Sequence, residues 1–451
     1  MIWYNLTTLC TFVSKTSYSK MALLLKIKKL FTKEDYDFDS PDINLRNFHP
    51  QLYIYLAAMG IFTNNRDSLL RFIWPSVCIS LLFIAIVFEG MFLVHGVIVK
   101  DYAFATECSF YFLLIGMVFA VYGGVFYNRD EVFQLIDDMN NDFVFIRTME
   151  SKYRDRFLKG QLLIHKLCCI WYIFMTTIVF LYILLMLCSL VMQSLFKADI
   201  DVIRPLLFPM WLPADDPYRT PNYELFLFFQ ICLLAIVNQV FSGYIYMLFH
   251  VLLHYYCILD MIIKDFEVIF DGLDESVVCL LSKDPVRKQL QSTLNGRMKR
   301  IVNWHLAVFK GVKTVSSIFG PPLVYQVMVS AIFICLMAYQ VAENLKKGQL
   351  DIIFVMLLTA AILQLWIPCY VGTLLRDKGY AVGNACWNSG WHETRLGTLI
   401  RADMVLVIQR SQQPLAIKFI GLPQLQLETF SSIISTAYTY FNMLRQYNPD
   451  S

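Results

Sequence analysis

Six apolar runs, each long enough to cross a lipid bilayer, constrain this chain more than any other feature of its sequence. A transmembrane helix needs about 20 mostly apolar residues. Backbone N–H and C=O groups find no water in hydrocarbon, so such runs fold as helices that satisfy these groups internally. The sequence therefore predicts an all-α, polytopic membrane protein. The six runs are residues 72–97, 103–127, 165–192, 225–249, 315–339 and 352–374.

The composition agrees with a bilayer as the solvent of this chain. Apolar residues make up 57% of it and charged residues only 16%, whereas soluble domains carry about 25% charged residues. Most of the 12 cysteines lie inside the apolar runs, which argues against a disulfide framework. Residues 51–62 form a shorter apolar stretch, which predicts a helix at the membrane surface.

A seventh segment, residues 427–444, is shorter and more polar, and we count it as a span because it is amphipathic. Polar groups that face hydrocarbon cost free energy. Two interpretations therefore stay open: the stripe lines a water-filled pore, or it is buried in its own bundle with hydroxyls bonded to backbone carbonyls. The polar stripe holds Ser431, Ser435, Tyr438, Thr439, Asn442 and Gln446; the opposite side holds Phe430, Ile433, Ile434, Ala437, Phe441 and Leu444.

The distribution of Lys and Arg predicts the orientation. Of 38 basic residues, 29 lie before span 1 or after spans 2, 4 and 6, and 7 lie in the segments after the odd spans. Basic loops stay on the cytosolic side, so the N-terminus is predicted to be cytosolic and the C-terminus extracellular. This orientation is the reverse of a G-protein-coupled receptor. A transporter is disfavoured as well, because no internal repeat with matching broken helices is visible.

The segments predicted to be cytosolic contain amphipathic helices. Apolar residues recur at helical spacing in residues 254–271 and again in residues 396–408. An amphipathic helix without bilayer length needs another protein surface, which predicts an assembly region. The predicted organisation is a cytosolic segment 1–71, spans 1–6 over 72–374 with a long cytosolic helical segment at 252–314, an assembly region 375–426, and span 7 with an extracellular tail over 427–451.

The sequence holds no recognisable catalytic motif. It lacks a phosphate-binding glycine loop, a Gly-x-Ser-x-Gly elbow and cysteine pairs at metal spacing. We therefore expect no enzyme, no cofactor, no metal site and no nucleic-acid partner. His250, His254 and Cys257 share one helix face, but helix packing explains them better than zinc does. Glu89, near the outer end of span 1, is expected to reach the aqueous interface.

Three stretches resemble the insect odorant receptor family. Residues 206–215 read LLFPMWLPAD, similar to the family's Pro…Trp-x-Pro loop before span 4. Residues 369–372 (CYVG) with 385–391 (ACWNSGW) are similar to the motifs at the end of span 6. Residues 410–414, 429–430 and 437–445 resemble the closing stretch of the family. The end of the chain, from Thr439-Tyr440 to Gln446-Tyr447, also resembles gustatory receptors, which leaves a gustatory-type channel as the alternative.

The resemblance implies a ligand-gated, non-selective cation channel in the plasma membrane of olfactory sensory neurons. In this family a variable subunit binds volatile hydrophobic molecules and assembles with a shared co-receptor into a heterotetramer surrounded by membrane lipid. This chain resembles the odour-binding subunit, because it lacks the co-receptor's long insert between spans 4 and 5.

The resemblance also implies where the sites lie. The family binds ligand in the outer half of the bundle, and ordinary helix packing is the alternative for each single residue. The last helix lines the pore, where Met443 matches the position of an apolar constriction. The ligand set is Tyr111, Phe112, Ile178, Leu181, Tyr182, Phe229, Gln230, Leu233, Val355 and Leu358; the pore set is Ser431, Ser435, Tyr438, Thr439, Asn442, Met443 and Gln446.

The predicted orientation is testable with epitope tags. In intact cells, an antibody should fail to reach a tag at the N-terminus and should bind a tag placed after Ser451. Permeabilised cells provide the control, since both tags should then be labelled. Labelling of the N-terminal tag without permeabilisation would show that the orientation is wrong.

Overall fold

The computed structural model describes residues 42–61, 69–196, 204, 206–212, 216–346, 348, 352–418 and 424–447. The predictions for residues 1–41 and for the tail after Tyr447 lie outside these ranges. The described chain is helical, with no strand among these residues. Its α-helices are α1 Leu45–Phe48, α2 Pro50–Ala58, α3 Leu70–Val99, α4 Tyr102–Tyr127, α5 Arg129–Arg147, α6 Ser151–Phe196, α7 Asn222–Glu267, α8 Pro285–Lys346, α9 Ile352–Asn388, α10 Arg401–Ser411 and α11 Leu427–Tyr447.

The predicted all-α membrane fold is confirmed. Each of the six apolar runs lies within one of the helices α3, α4, α6, α7, α8 and α9, and these six are long and apolar enough to cross a membrane. Helix α11 corresponds to the predicted span 7. Following the predicted orientation, we call the end of the bundle at Phe208 the outer end and the end at Asp260 the inner end.

Helix α7 forms the centre of the bundle. Every side chain from residue 241 to residue 252 is buried, so this part of the helix contacts protein on all sides. Helices α4, α6, α8 and α9 pack around it, and the short helix α2 also packs against it. A helix that is apolar around its whole circumference is a buried one, and α7 has this pattern.

Helices α3 and α6 lie at the periphery of the chain. Large apolar side chains are exposed on both helices, among them Phe83, Val94 and Ile98 on α3 and Ile170 and Phe180 on α6. Water would make so much exposed apolar surface unfavourable. The faces of these two helices therefore fit contact with lipid.

Several helices continue past bilayer length at the inner end. Helix α7 has 46 residues and α8 has 62, where a span needs about 20. Ion pairs join these extensions to each other and to neighbouring helices. Arg300 donates two hydrogen bonds of 2.7 Å to the buried carboxylate of Asp265. Asp260 accepts from Arg156 at 2.7 Å and from Lys378 at 2.6 Å, which ties α6, α7 and α9 together.

The helical segment predicted for residues 252–314 is interrupted. Helix α7 ends at Glu267, Gly272 adopts a positive φ of 73°, and α8 begins at Pro285. Glycine adopts this backbone conformation without a steric penalty. Arg297 closes the end of α7 by donating to the backbone carbonyls of Val268 and Ile269, at 3.2 and 2.7 Å.

Two further features differ from expectation. Helix α5 was not anticipated, although Val132, Ile136, Met139 and Phe143 repeat at helical spacing and are buried. Glu89 is buried as well, so the expectation that it reaches the interface is wrong for this chain. One of its carboxylate oxygens has no hydrogen-bond partner among the described residues.

Candidate functional site

A cavity of about 110 Å³ lies where α4, α6, α7, α8 and α9 meet. Most of its wall is apolar, with Phe110, Met175, Phe241, Phe333 and Leu357 contributed by the five helices in turn. None of the described residues that line it is charged. Sites for small apolar ligands are concave, mostly apolar and equipped with a few polar groups, and this cavity has a mostly apolar wall with a few polar groups.

Four polar side chains interrupt the apolar wall: Asn238, Gln326, Ser330 and Gln364. Gln326 and Gln364 are only 4% and 3% exposed. The Nε2 of Gln326 donates to the backbone carbonyl of Gln364 at 3.3 Å, which joins α8 to α9 at the cavity. The hydroxyl of Ser330 donates to the carbonyl of Gln326 one turn back on α8.

The predicted ligand residues lie mostly outside this cavity. Among the described lining residues, Ile178 is the one member of the predicted set. The described residues 206–212 belong to the loop between α6 and α7, which we call the outer loop. Tyr111 packs against Phe208 of this loop, with ring centres 4.7 Å apart. The other predicted residues also lie off the cavity wall, and their contact with a ligand stays a prediction: Phe112, Leu181, Tyr182, Phe229, Gln230, Leu233, Val355 and Leu358.

Three of these residues hold the outer loop against the bundle. Gln230 accepts from the backbone N–H groups of Leu207 and Phe208, at 2.8 and 3.2 Å, and donates to the carbonyl of Phe208 at 3.1 Å. The hydroxyl of Tyr182 donates to the carbonyl of Leu207 and accepts from Tyr111 at 3.1 Å. Buried backbone groups need partners, and these side chains supply them. Leu207 and Phe208 are thereby buried at the outer end.

The two sides of α11 have different environments. Ile433 and Ala437 are buried, and the helix packs along α8 and, at its start, against α9. Tyr438 is 65% exposed and Met443 61%. Asn442 is half-buried, and the remaining predicted pore residues are exposed: Ser431, Ser435, Thr439 and Gln446. The polar stripe is thus not buried in the chain's own bundle, although Thr439 does donate to the carbonyl of Ser435, at 3.0 Å.

One residue of the apolar side departs from expectation. Leu444 is 39% exposed, so the end of α11 is less enclosed than the pattern predicted. Leu444 is consequently no equivalent of Ile433 and Ala437.

The start of α11 is attached to α9. The backbone of Leu425 crosses α9 at Gly372, where a Cβ atom would clash with the Leu425 carbonyl oxygen. The hydroxyl of Thr373 accepts from the N–H of Leu427 at 3.0 Å. Arg376 donates to the side chain of Gln426 at 2.9 Å. The glycine of the CYVG motif therefore allows the last helix to dock closely.

His254, on the histidine face of α7, is held by protein groups. The two ring nitrogens of His254 lie 3.0 Å from Gln161 Nε2 and 3.0 Å from an Asp142 oxygen. Cys257 packs at Gly160 of α6. In the part of the chain that the structure describes, no three metal-ligating side chains are grouped to hold an ion.

Sequence reasoning missed the polar residues of the cavity. Gln326 and Gln364 sit inside spans 5 and 6, where a buried amide is unusual and points to a specific contact. That signal was available, but helical periodicity does not show which amides face each other. The contact between α8 and α9 brings these two together.

Comparison with known proteins identifies what the chain is similar to. The sequence profile of the 7tm odorant receptor family matches residues 103–438. Odorant receptor 67c of Drosophila melanogaster is 28% identical over 147 residues, 32% of this chain and 35% of that protein. Odorant receptor 13a of the same species is 27% identical over 159 residues, 33% and 38% of the two chains. The match thus spans little more than a third of these relatives.

The fold is similar to that of a solved insect receptor. The structure of olfactory receptor OR5 from Machilis hrabei in complex with eugenol has a TM-score of 0.71 to this chain at 17% identity, and the match covers 90% of this chain and 99% of the other. The structure described for OR5 alone gives a TM-score of 0.67. At this level of identity the likeness concerns the fold.

The role assigned to Gln230 can be tested by hydrogen exchange. Gln230→Leu removes the acceptor of the Leu207 and Phe208 amides, so these amides should exchange about tenfold faster, the loss of roughly one net hydrogen bond each. Gln239→Leu, on the same helix but away from the loop, should leave their exchange unchanged. Unaltered exchange in Gln230→Leu would contradict the role in holding the loop.

Proposed function

The chain belongs to the 7tm odorant receptor family, and from this premise we propose that it is the odour-binding subunit of a ligand-gated, non-selective cation channel. The match of the family profile over residues 103–438 is the observation that carries this proposal. It places the chain among multi-pass membrane receptors rather than enzymes. It also favours the odorant branch over the gustatory alternative.

The ligand site of the proposed receptor is the cavity among α4, α6, α7, α8 and α9. Its uncharged, largely apolar wall suits a small hydrophobic molecule. A receptor of similar fold, OR5 of Machilis hrabei, was solved in complex with eugenol, which supports a small organic ligand here. The predicted residues Tyr111, Tyr182 and Gln230 then affect ligand binding indirectly, because they hold the outer loop against the bundle.

The pore of the proposed channel is lined by the polar face of α11. That face is exposed in the single chain, while Ile433 and Ala437 are packed against the bundle. Hydroxyls and amides without charge suit a water-filled path for cations. Met443 near the outer end provides an apolar constriction that closes the path by excluding water.

Two helices connect the proposed ligand site to the proposed pore. Helices α8 and α9 contribute Gln326 and Gln364 to the cavity, and both pack against α11. A ligand that shifts α8 relative to α9 therefore changes the surface on which α11 rests. Such a ligand gates the channel only if it binds the open arrangement better than the closed one.

The complete channel includes partner subunits. We place this chain in a heterotetramer with an odorant co-receptor, in the plasma membrane of olfactory sensory neurons. The segment 391–409 is the proposed assembly surface. Its apolar residues divide into two groups: Met404 and Val407 are buried within this chain, whereas Val405 and Leu406 are 48% and 60% exposed. The exposed pair is the part available to a partner.

Cysteine substitution tests the channel and its pore together. Cells that express this chain with a co-receptor should give cation currents to members of an odour panel. Single cysteines at Ser435, Thr439, Asn442 or Met443 should react with a water-soluble thiol reagent, and the current should fall, because these positions meet water.

Matched controls lie on the other side of the same helix. Cysteines at the buried positions Ile433 and Ala437 should leave the current close to wild type after the same treatment. Replacing Met443 with Ser should raise the current without ligand. Reactivity without a helical period, or centred on Ile433 and Ala437, would show that the polar face of α11 does not line a pore.

The assembly surface predicts a distinct phenotype. Val405→Asp with Leu406→Asp should abolish co-purification with the co-receptor, since charges at an apolar interface oppose association. The chain itself should remain folded, because both side chains are exposed in it. Arg401→Asp with Asp403→Lys, exposed on the same helix α10, serves as the polar control. Normal co-purification of the Val405, Leu406 variant would exclude this surface.

A further inference from the structure

The two glutamines of the cavity leave one acceptor and one donor unused. The Oε1 of Gln326 and the Nε2 of Gln364 are buried and have no hydrogen-bond partner among the described residues. Burying a polar group without a partner is unfavourable. We infer that Gln326 and Gln364 form a recognition site for a hydroxyl group, so that the receptor prefers small alcohols. This inference rests on the proposed function and assigns a ligand class to its site.

A proline in α9 fixes the orientation of the Gln326 amide. Pro368 lies inside this helix. It has no N–H, so the carbonyl of Gln364, four residues earlier, lacks its usual helical donor. The Nε2 of Gln326 donates to that carbonyl at 3.3 Å. Because only the amide nitrogen can donate to a carbonyl, the Oε1 of Gln326 is the atom left free as an acceptor.

The neighbouring groups do not satisfy these two atoms. The hydroxyl of Ser330 is committed to the backbone carbonyl of Gln326. Asn238, on the α7 side of the cavity, accepts from Ser242 at 3.2 Å. The rest of the wall is apolar. Gln326 and Gln364 both belong to the cavity wall, so rotation of their side chains can present the unused acceptor and donor to a molecule that enters the cavity.

A hydroxyl group carries both the donor and the acceptor that these two atoms lack. It donates its hydrogen to the Oε1 of Gln326 and accepts from the Nε2 of Gln364. A ketone only accepts, so it satisfies Gln364 and leaves Gln326 unpaired. A hydrocarbon satisfies neither. A site built to hydrogen-bond a ligand rejects analogues that lack the group, because its own buried polar atoms then stay unpaired.

The cavity suits a small ligand. It measures about 110 Å³ and is partly open, so a short chain can extend beyond that volume. Suitable probes are therefore small. 1-Pentanol, 2-pentanone and hexane each have six non-hydrogen atoms and differ mainly in hydrogen bonding.

The test compares these three probes on the full-length receptor. One readout is the concentration that evokes half-maximal current with the co-receptor, and the other is the thermal stabilisation of the purified protein in detergent. For the wild type, we expect 1-pentanol to act at about tenfold lower concentration than 2-pentanone, and 2-pentanone at about tenfold lower than hexane, one net hydrogen bond at each step.

Two variants should each remove a different step of this order of preference. In Gln326→Met the advantage of 1-pentanol over 2-pentanone should disappear, while 2-pentanone keeps its advantage over hexane. In Gln364→Met the advantage of 2-pentanone over hexane should disappear. Ratios among probes within one variant do not depend on how much of it folds. Val329→Ala on α8 and Leu357→Ala on α9, which alter the wall but not the amides, should shift all three probes together.

The outcomes separate this inference from the proposed function. Equal action of the three probes on the wild type, or an equal shift of all three in both methionine variants, would overturn the hydroxyl site. Thermal stabilisation in the expected order without any current would support the hydroxyl site and count against the channel.

Discussion

Helices that cross a bilayer must satisfy their own backbone hydrogen bonds, and the places where this chain departs from that rule shape its interior. In α9, Pro368 removes the donor for the Gln364 carbonyl, and Gln326 of α8 replaces it. A membrane supplies no water for this purpose, so the replacement has to come from a neighbouring helix. The proline thereby draws an amide side chain into an otherwise apolar region, next to the cavity.

The buried backbone groups of the outer loop also need hydrogen-bond partners, and side chains supply them. Leu207 and Phe208 are buried although they are not helical. Irregular backbone at such a position needs side-chain partners. Gln230 bonds both amides and one carbonyl, and Tyr182 bonds the other carbonyl. Residues that resemble ligand contacts in the sequence are thus occupied in closing the bundle.

The proposed ligand site and the proposed pore share α8 and α9, and this sharing gives the fold a route for gating. Helix α7 is buried on all sides and ion pairs at Asp260 and Asp265 join the inner ends. Helix α11 in contrast rests on one face only, with Gly372 permitting its close approach to α9. The helix proposed to carry ions is thus packed on one face and exposed on the other.

The sequence by itself determined the number and position of the six most apolar helices, because apolar runs of bilayer length have no other stable form in lipid. It also separated the two sides of α11, since helical periodicity assigns Ile433 and Ala437 to one face and Ser435 and Thr439 to the other. The family resemblance rested on short motifs, and the profile match to residues 103–438 confirmed it.

Only the tertiary structure decided which polar residues face each other. Gln230 and Gln326 are both glutamines inside apolar spans, and no local pattern distinguishes them. One bonds the outer loop, and the other meets Gln364 across a helix contact 38 residues distant in sequence. Glu89 was placed at the interface from its position in the run, yet the helix turns it into the bundle. Periodicity specifies a face of a helix, whereas packing between helices specifies what that face contacts.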